Sequence, residues 1–188
     1  MKKRECLTRA RREDSIFKDK LLAISFYTAC AGTISIAESL IPKPFPFLKI
    51  GLANIVLILL VMQRKELSAF VVLLGKVLLS GLFIGSLLMP TTLIALGSGL
   101  VSLFMMAIMA RVRLGLSWVG ISIIGAVIHN LMQLVIVRAI IIYSNSIFEL
   151  IPVLLLLGVV TGTVTGIIAI ILNERLKSVD KPHIIKSW

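Results

Sequence analysis

Six apolar runs, separated by short polar gaps, dominate the pattern along the chain. They cover residues 21–41, 50–62, 67–89, 91–110, 114–142 and 150–172. A helix of about 20 apolar residues crosses the hydrocarbon core of a bilayer, so each run is read as one membrane span. The second is short and recruits Phe47 and Leu48 to reach the required length. The fifth is long enough to tilt or to project from the bilayer. The first exceeds the apolar core of a cleavable signal, and no convincing small-residue cleavage site follows it. The pattern predicts an all-α integral membrane protein, a compact bundle of six transmembrane helices.

Composition agrees with that reading. The chain has 188 residues, is 58% hydrophobic and has a mean hydropathy of +1.04, outside the range of soluble domains. Its length suits one compact unit. The expected organisation is a basic tail over residues 1–20, a six-helix membrane domain over 21–172 and a second tail over 173–188.

The net charge of +11 would suggest nucleic acid in a soluble protein. Here the basic residues sit at the ends and in alternate gaps, which is a topology pattern and argues against a nucleic-acid partner. Eight of them precede the first run, Arg64 and Lys65 fill the second gap, and Arg111 and Arg113 fill the fourth. Arg175, Lys177, Lys181 and Lys186 close the chain. The odd-numbered gaps hold only Lys43 and Lys49. The positive-inside rule then gives a multi-pass protein of the cell membrane with both termini cytoplasmic. The N-terminal basic cluster could also bind anionic membrane lipid. Cys6 and Cys30 form no CxxC pair and suggest neither a disulfide framework nor a zinc site.

Small residues mark helix faces that approach closely. Gly158, Gly162 and Gly166 share one face of the sixth run, and Gly81 and Gly85 share one in the third. Internal packing and an external partner surface both fit such faces. In the first run Ser25, Ala29 and Gly32 form a smooth stripe, while Tyr27, Ala31 and Glu38 lie nearly opposite.

Polar groups inside the runs are the candidate site. An ionisable side chain within a bilayer is costly and points to function. Lys76 lies near the middle of the third run; His129, Asn130 and Gln133 lie in the fifth, with His129 and Gln133 one turn apart. Arg138 points elsewhere and could snorkel to the interface. Glu38, Lys49 and Asn54 belong to the outer ends of the first two runs, so most of these groups converge on the outer half. Between those ends, Pro42, Pro44 and Pro46 favour a stiff, extended connection carrying Phe45 and Phe47. That connection reads either as a lid over a ligand, with Lys43 and Lys49 attracting an anion and Gly51 and Asn54 bringing polar groups close, or as an interfacial anchor. Lys76 reads either as a ligand contact or as one half of an ion pair, for instance with Glu38. His129 suits a hydrogen-bonded role better than a metal site, since His183 lies in the tail.

Several chemistries lack their residues. The Gly75–Lys76 pair has no surrounding phosphate-loop pattern, so no nucleotide site is expected. The three aspartates, Asp14, Asp19 and Asp180, all fall in the tails, leaving no paired-aspartate magnesium motif within the bundle. GxSxG and HExxH are absent as well. A self-contained enzyme is the poorer reading, and no cofactor is expected.

The stretch ESLIPKPFPFLKIGLANI, residues 38–55, resembles the Gx transporter family, whose members are often labelled heptaprenyl diphosphate synthase component I. The likeness extends over most of residues 21–172. That family looks related to the substrate-binding S components of energy-coupling factor transporters, which are six-helix proteins. The resemblance implies an S-component-like bundle that binds a small vitamin-like or cofactor-precursor molecule near its outer face. It also implies a transmembrane coupling subunit and cytoplasmic ATPases as partners. Glu38, Lys49, Gly51 and Asn54 are the positions it assigns to the outer site, and Ser25, Ala29 and Gly32 those it assigns to the coupling subunit. The alternative is a non-catalytic accessory subunit in isoprenoid or quinone synthesis, or in flavin- or quinone-linked electron transfer.

Overall fold

A computed structural model describes the backbone of residues 2–40, 51–112, 115–141 and 145–179. The described elements are helical: α1 (Lys2–Leu40), α2 (Asn54–Met62), α3 (Glu66–Ile84), α4 (Pro90–Val112), α5 (Trp118–Ile140), a 3-10 turn (Asn145–Leu150) and α6 (Ile151–Val179). Five segments are long and apolar enough to cross a bilayer: Phe17–Leu40 of α1, all of α3, α4 and α5, and Ile147–Ser178 through α6. The chain is therefore a helical, multi-pass membrane protein. Leu67, Phe83 and Leu88 on its outside are at least three-quarters exposed, a surface suited to lipid.

The element ends have local causes. Gly85 adopts φ +71 and closes α3: its N–H bonds the Leu82 carbonyl while the Ser86 N–H reaches Gly81. This left-handed cap stops the helix at Ile84, short of the expected residue 89. Ser117 caps α5 by accepting the Gly120 N–H at 3.1 Å, so the helix starts at Trp118 rather than at 114. Helix α1 continues back through the basic stretch to Lys2, and α6 runs on to Val179.

The largest departure is α2. Residues 51–53 form a turn, with Gly51 at φ +89 and its carbonyl accepting the Asn54 N–H at 2.9 Å. Only nine helical residues remain, about 14 Å at 1.5 Å per residue, against a hydrocarbon core of roughly 30 Å. By itself α2 does not span. It is instead the centre of the molecule, touching α1, α3, α4, α5 and α6. Leu57, Ile58, Leu60 and Val61 are almost fully buried and pack with Val72, Leu73, Leu103 and Met106.

The glycine faces divide. Gly158, Gly162 and Gly166 of α6 lie on the backbone of α5 at Val127, Ile123 and Val119, so this stripe is an internal seam. The expectation of a matching face in α3 is corrected. Gly85 is the helix cap, with nothing within 4 Å of its would-be side chain, and Gly81 meets Leu87 in the following turn.

Candidate functional site

Three helices and one turn begin the cluster. Ser35 and Glu38, one turn apart on α1, turn inward and are buried. The turn before α2 brings the Gly51 N–H to the Glu38 carboxylate, which accepts it. Gly51 holds a left-handed conformation that other residues resist, and a Cβ there would sit 3.3 Å from the Asn54 amide nitrogen. Asn54 opens α2, and its Oδ1 accepts from the Lys76 ammonium at 2.9 Å. Lys76 comes from the middle of α3 and is 7% exposed.

From α5, His129 closes the cluster. Its Nε2 lies 2.9 Å from the Gln133 amide nitrogen, one turn on. With that nitrogen as donor, Nε2 accepts and the imidazole proton belongs on Nδ1. Gln133 thereby orients the ring, while Asn130 turns to α6 and donates to the Leu154 carbonyl at 3.1 Å.

Ser35, Glu38, Gly51, Asn54, Lys76 and His129 line one cavity of about 20 Å³, large enough for roughly one water molecule. The electrostatics are lopsided. The N-terminal end of α2 carries partial positive charge, and the Lys76 ammonium stands beside it. The Glu38 carboxylate, on the Gly51 N–H, supplies the negative charge. Such an arrangement can accept an anionic or strongly hydrogen-bonding group in the carboxylate's place.

The described site residues expected from sequence thus fall into three sets. Glu38, Gly51, Asn54, Lys76 and His129 come together; Gln133 acts through His129; Asn130 pins α5 to α6. Lys49 and the whole Pro/Phe connection, with Pro42, Lys43, Pro44, Phe45, Pro46 and Phe47, lie outside the described residues. Of the smooth stripe, Ser25 and Ala29 are exposed, while Gly32 is buried against Leu79 of α3. Gly32 is an internal contact, a reading the residue pattern left open. Ser35 was not anticipated; its position three residues before Glu38 was the available cue.

Hydroxyls tie the surrounding helices. Ser102 donates to the Gly125 carbonyl at 2.7 Å, joining α4 to α5, and Ser122 meets Thr165 at 2.9 Å, joining α5 to α6. These bonds fix the helix that presents His129.

Fold and site together define a multi-pass helical membrane protein whose polar groups gather inside the bundle at a small cavity. Within that class the chain belongs to the heptaprenyl diphosphate synthase component I family, whose model matches residues 27–172. The match spans every candidate site residue except Ser25 of the smooth stripe. No curated protein and no solved structure matches the chain.

Proposed function

We propose that this chain is the substrate-binding membrane subunit of an energy-coupling-factor-type uptake transporter, with an S-component-like bundle and both termini cytoplasmic. Its ligand is a small vitamin-like or cofactor-precursor molecule arriving from the outer face. The observation that supports this is the convergence of Glu38, Gly51, Asn54, Lys76 and His129 on one cavity, from four helices and one turn. A bundle stabilised by packing alone has no use for a buried ammonium and carboxylate at that depth.

The cavity holds about one water, so a larger ligand enters only if the helices around it part. An incoming anionic group displaces Glu38 from the Gly51 N–H and takes up Lys76, while Asn54 and the His129–Gln133 pair supply directional hydrogen bonds. Lys49 is read from the sequence as a further positive charge for that ligand. A coupling subunit and cytoplasmic ATPases then supply the energy for release.

Native mass spectrometry of the purified chain with co-purified small molecules identifies the ligand. The combined Lys49→Ala, Lys76→Ala and Gln133→Ala variant then loses at least tenfold in affinity, since charged hydrogen bonds contribute about 1.5–3 kcal/mol each. Unchanged affinity rejects this site. The family description favours one other reading, an accessory subunit in heptaprenyl diphosphate formation. Affinity purification separates the two. Co-isolated ATPases and a coupling subunit support transport, and a co-isolated soluble prenyl synthase supports the alternative.

A further inference from the structure

At the opposite end of the bundle a second cavity, of about 460 Å³, opens between α1 and the turn joining α2 to α3. Its volume falls within the roughly 300–1,000 Å³ of small-molecule sites. Lys20, Arg64 and Lys65 line it together with apolar Leu21, Ile24 and Val71. Glu66 also lines it, but its carboxylate accepts from Arg111 Nε at 3.2 Å and is thereby engaged by α4.

The turn itself is unusual. Arg64 has φ 58, and it is the one left-handed residue other than glycine among those described. Its N–H bonds the Val61 carbonyl and the Lys65 N–H bonds Leu60, the pairing that ends a helix with a left-handed residue. Glycine fits that position without strain. A preference for basic residues at this end accounts for the charge of Arg64 and Lys65. It does not account for their convergence with Lys20 on one concavity, or for an arginine at the left-handed position.

We infer that this groove binds an anionic membrane phospholipid, with the phosphate against Lys20, Arg64 and Lys65 and an acyl chain along Leu21, Ile24 and Val71. Arg64 and Lys65 lie between the end of α2 and the start of α3, and Lys20 lies near the start of the apolar part of α1. The rim therefore sits at headgroup level, and the apolar floor leads into the depth occupied by acyl chains. A soluble anion leaves that floor wet, and a zwitterionic lipid sets its own cation against three others. This inference stands independently of the transport proposal.

Native mass spectrometry of the full chain in detergent, offered equal amounts of phosphatidylglycerol and phosphatidylcholine, tests it. At least tenfold more phosphatidylglycerol adduct is expected. The Arg64→Gly/Lys65→Gln variant, whose turn keeps a residue suited to its conformation, loses that excess tenfold while its lipid-free melting midpoint is retained. Millimolar inorganic phosphate leaves the adduct in place. Equal uptake of both lipids overturns the inference, as does full retention of phosphatidylglycerol by the variant. Displacement by inorganic phosphate, or binding of a single-tailed alkyl phosphate but not of phosphatidylglycerol, overturns it too.

Discussion

Adding one methyl group to Gly162 tests whether the α5–α6 seam holds the bundle together. A Cβ on Gly162 stands 2.5 Å from Ile123 Cα, 3.0 Å from Ile123 N and 3.1 Å from Ala126 Cβ. Two of these atoms are backbone and cannot rotate aside. Against the 3.4 Å at which ordinary contact begins, the shortfall is about 0.9 Å, so the two helices must part. Parting them also loosens the Gly158 and Gly166 contacts above and below, and a gap of 0.5–1 Å forfeits about a quarter to a half of each dispersion contact. Overpacking of this kind costs about 1–3 kcal/mol, while replacing a helical glycine by alanine returns about 0.8–1.0 kcal/mol. The expected net loss for Gly162→Ala is about 0–2 kcal/mol, which is about 1–3 kcal/mol relative to a glycine replaced in open space. Gly120→Ala is the control, because its nearest heavy atom is 3.6 Å away and only the propensity gain applies. Unfolding in mixed micelles by sodium dodecyl sulfate, followed through Trp118 fluorescence, compares the two. If Gly162→Ala resists detergent as well as Gly120→Ala does, the seam is not close-packed and the reasoning fails.

Three further outcomes follow from the site. Gly51→Ala forces a left-handed alanine and crowds the Asn54 amide; it costs about 1–2 kcal/mol of stability and weakens ligand binding, measured by detergent unfolding and by native mass spectrometry. Asn54→Leu removes an acceptor from the buried Lys76 ammonium and destabilises by about 1.5–3 kcal/mol, but costs much less in a Lys76→Met background. A double-mutant cycle in the same unfolding assay reads that coupling, and simple additivity refutes it. Cysteines at Gly32 and Leu79, whose Cβ positions lie 3.3 Å apart, form a bridge in a chain whose Cys6 and Cys30 are replaced by serine. The oxidised protein then loses ligand binding and regains it on reduction; equal binding in both states shows that α1 need not leave α3.

Most of the architecture was legible because lipid removes ambiguity. Runs such as 67–89 and 91–110 have no stable alternative to a helix when water is absent, so hydropathy alone located α3 and α4. The run 50–62 looked equally apolar, yet its first residues form a turn. Gly51 takes a left-handed conformation to deliver its N–H to Glu38, a contact 13 residues away that no local pattern encodes. Gly85 shows the converse. A glycine four residues after another suits a packing face and a helix cap alike, and only the end of α3 decides between them. The core of the site was visible for an energetic reason, since Glu38, Lys76 and His129 cost too much in lipid to be incidental. Asn130 and Gln133 were equally visible, but their partners are a carbonyl on α6 and a ring on their own helix. Side-chain type reveals that a group needs a partner and leaves open which one.

The packing also indicates what must move if a ligand larger than water is to reach Lys76. Helix α2 is held by five others and buried along nearly its whole length, so displacing it breaks contacts on every side at once. Its polar end, carrying Asn54, is best regarded as the fixed wall of the site. Helix α1 is the opposite case. Among the described residues it touches only α2 and α3, and 22% of its apolar window is buried against 39–44% for the other spans. Its inward groups near the site are Ser35 and Glu38, and Glu38 is joined to the turn before α2 through the Gly51 N–H. Swinging the end of α1 outward therefore breaks packing against α2 and α3 alone among the described elements. The same motion withdraws the Glu38 carboxylate from the Gly51 N–H. Under the proposed transport role, loss of Glu38 from Gly51 and enlargement of the cavity are one event, which ties ligand charge to helix position.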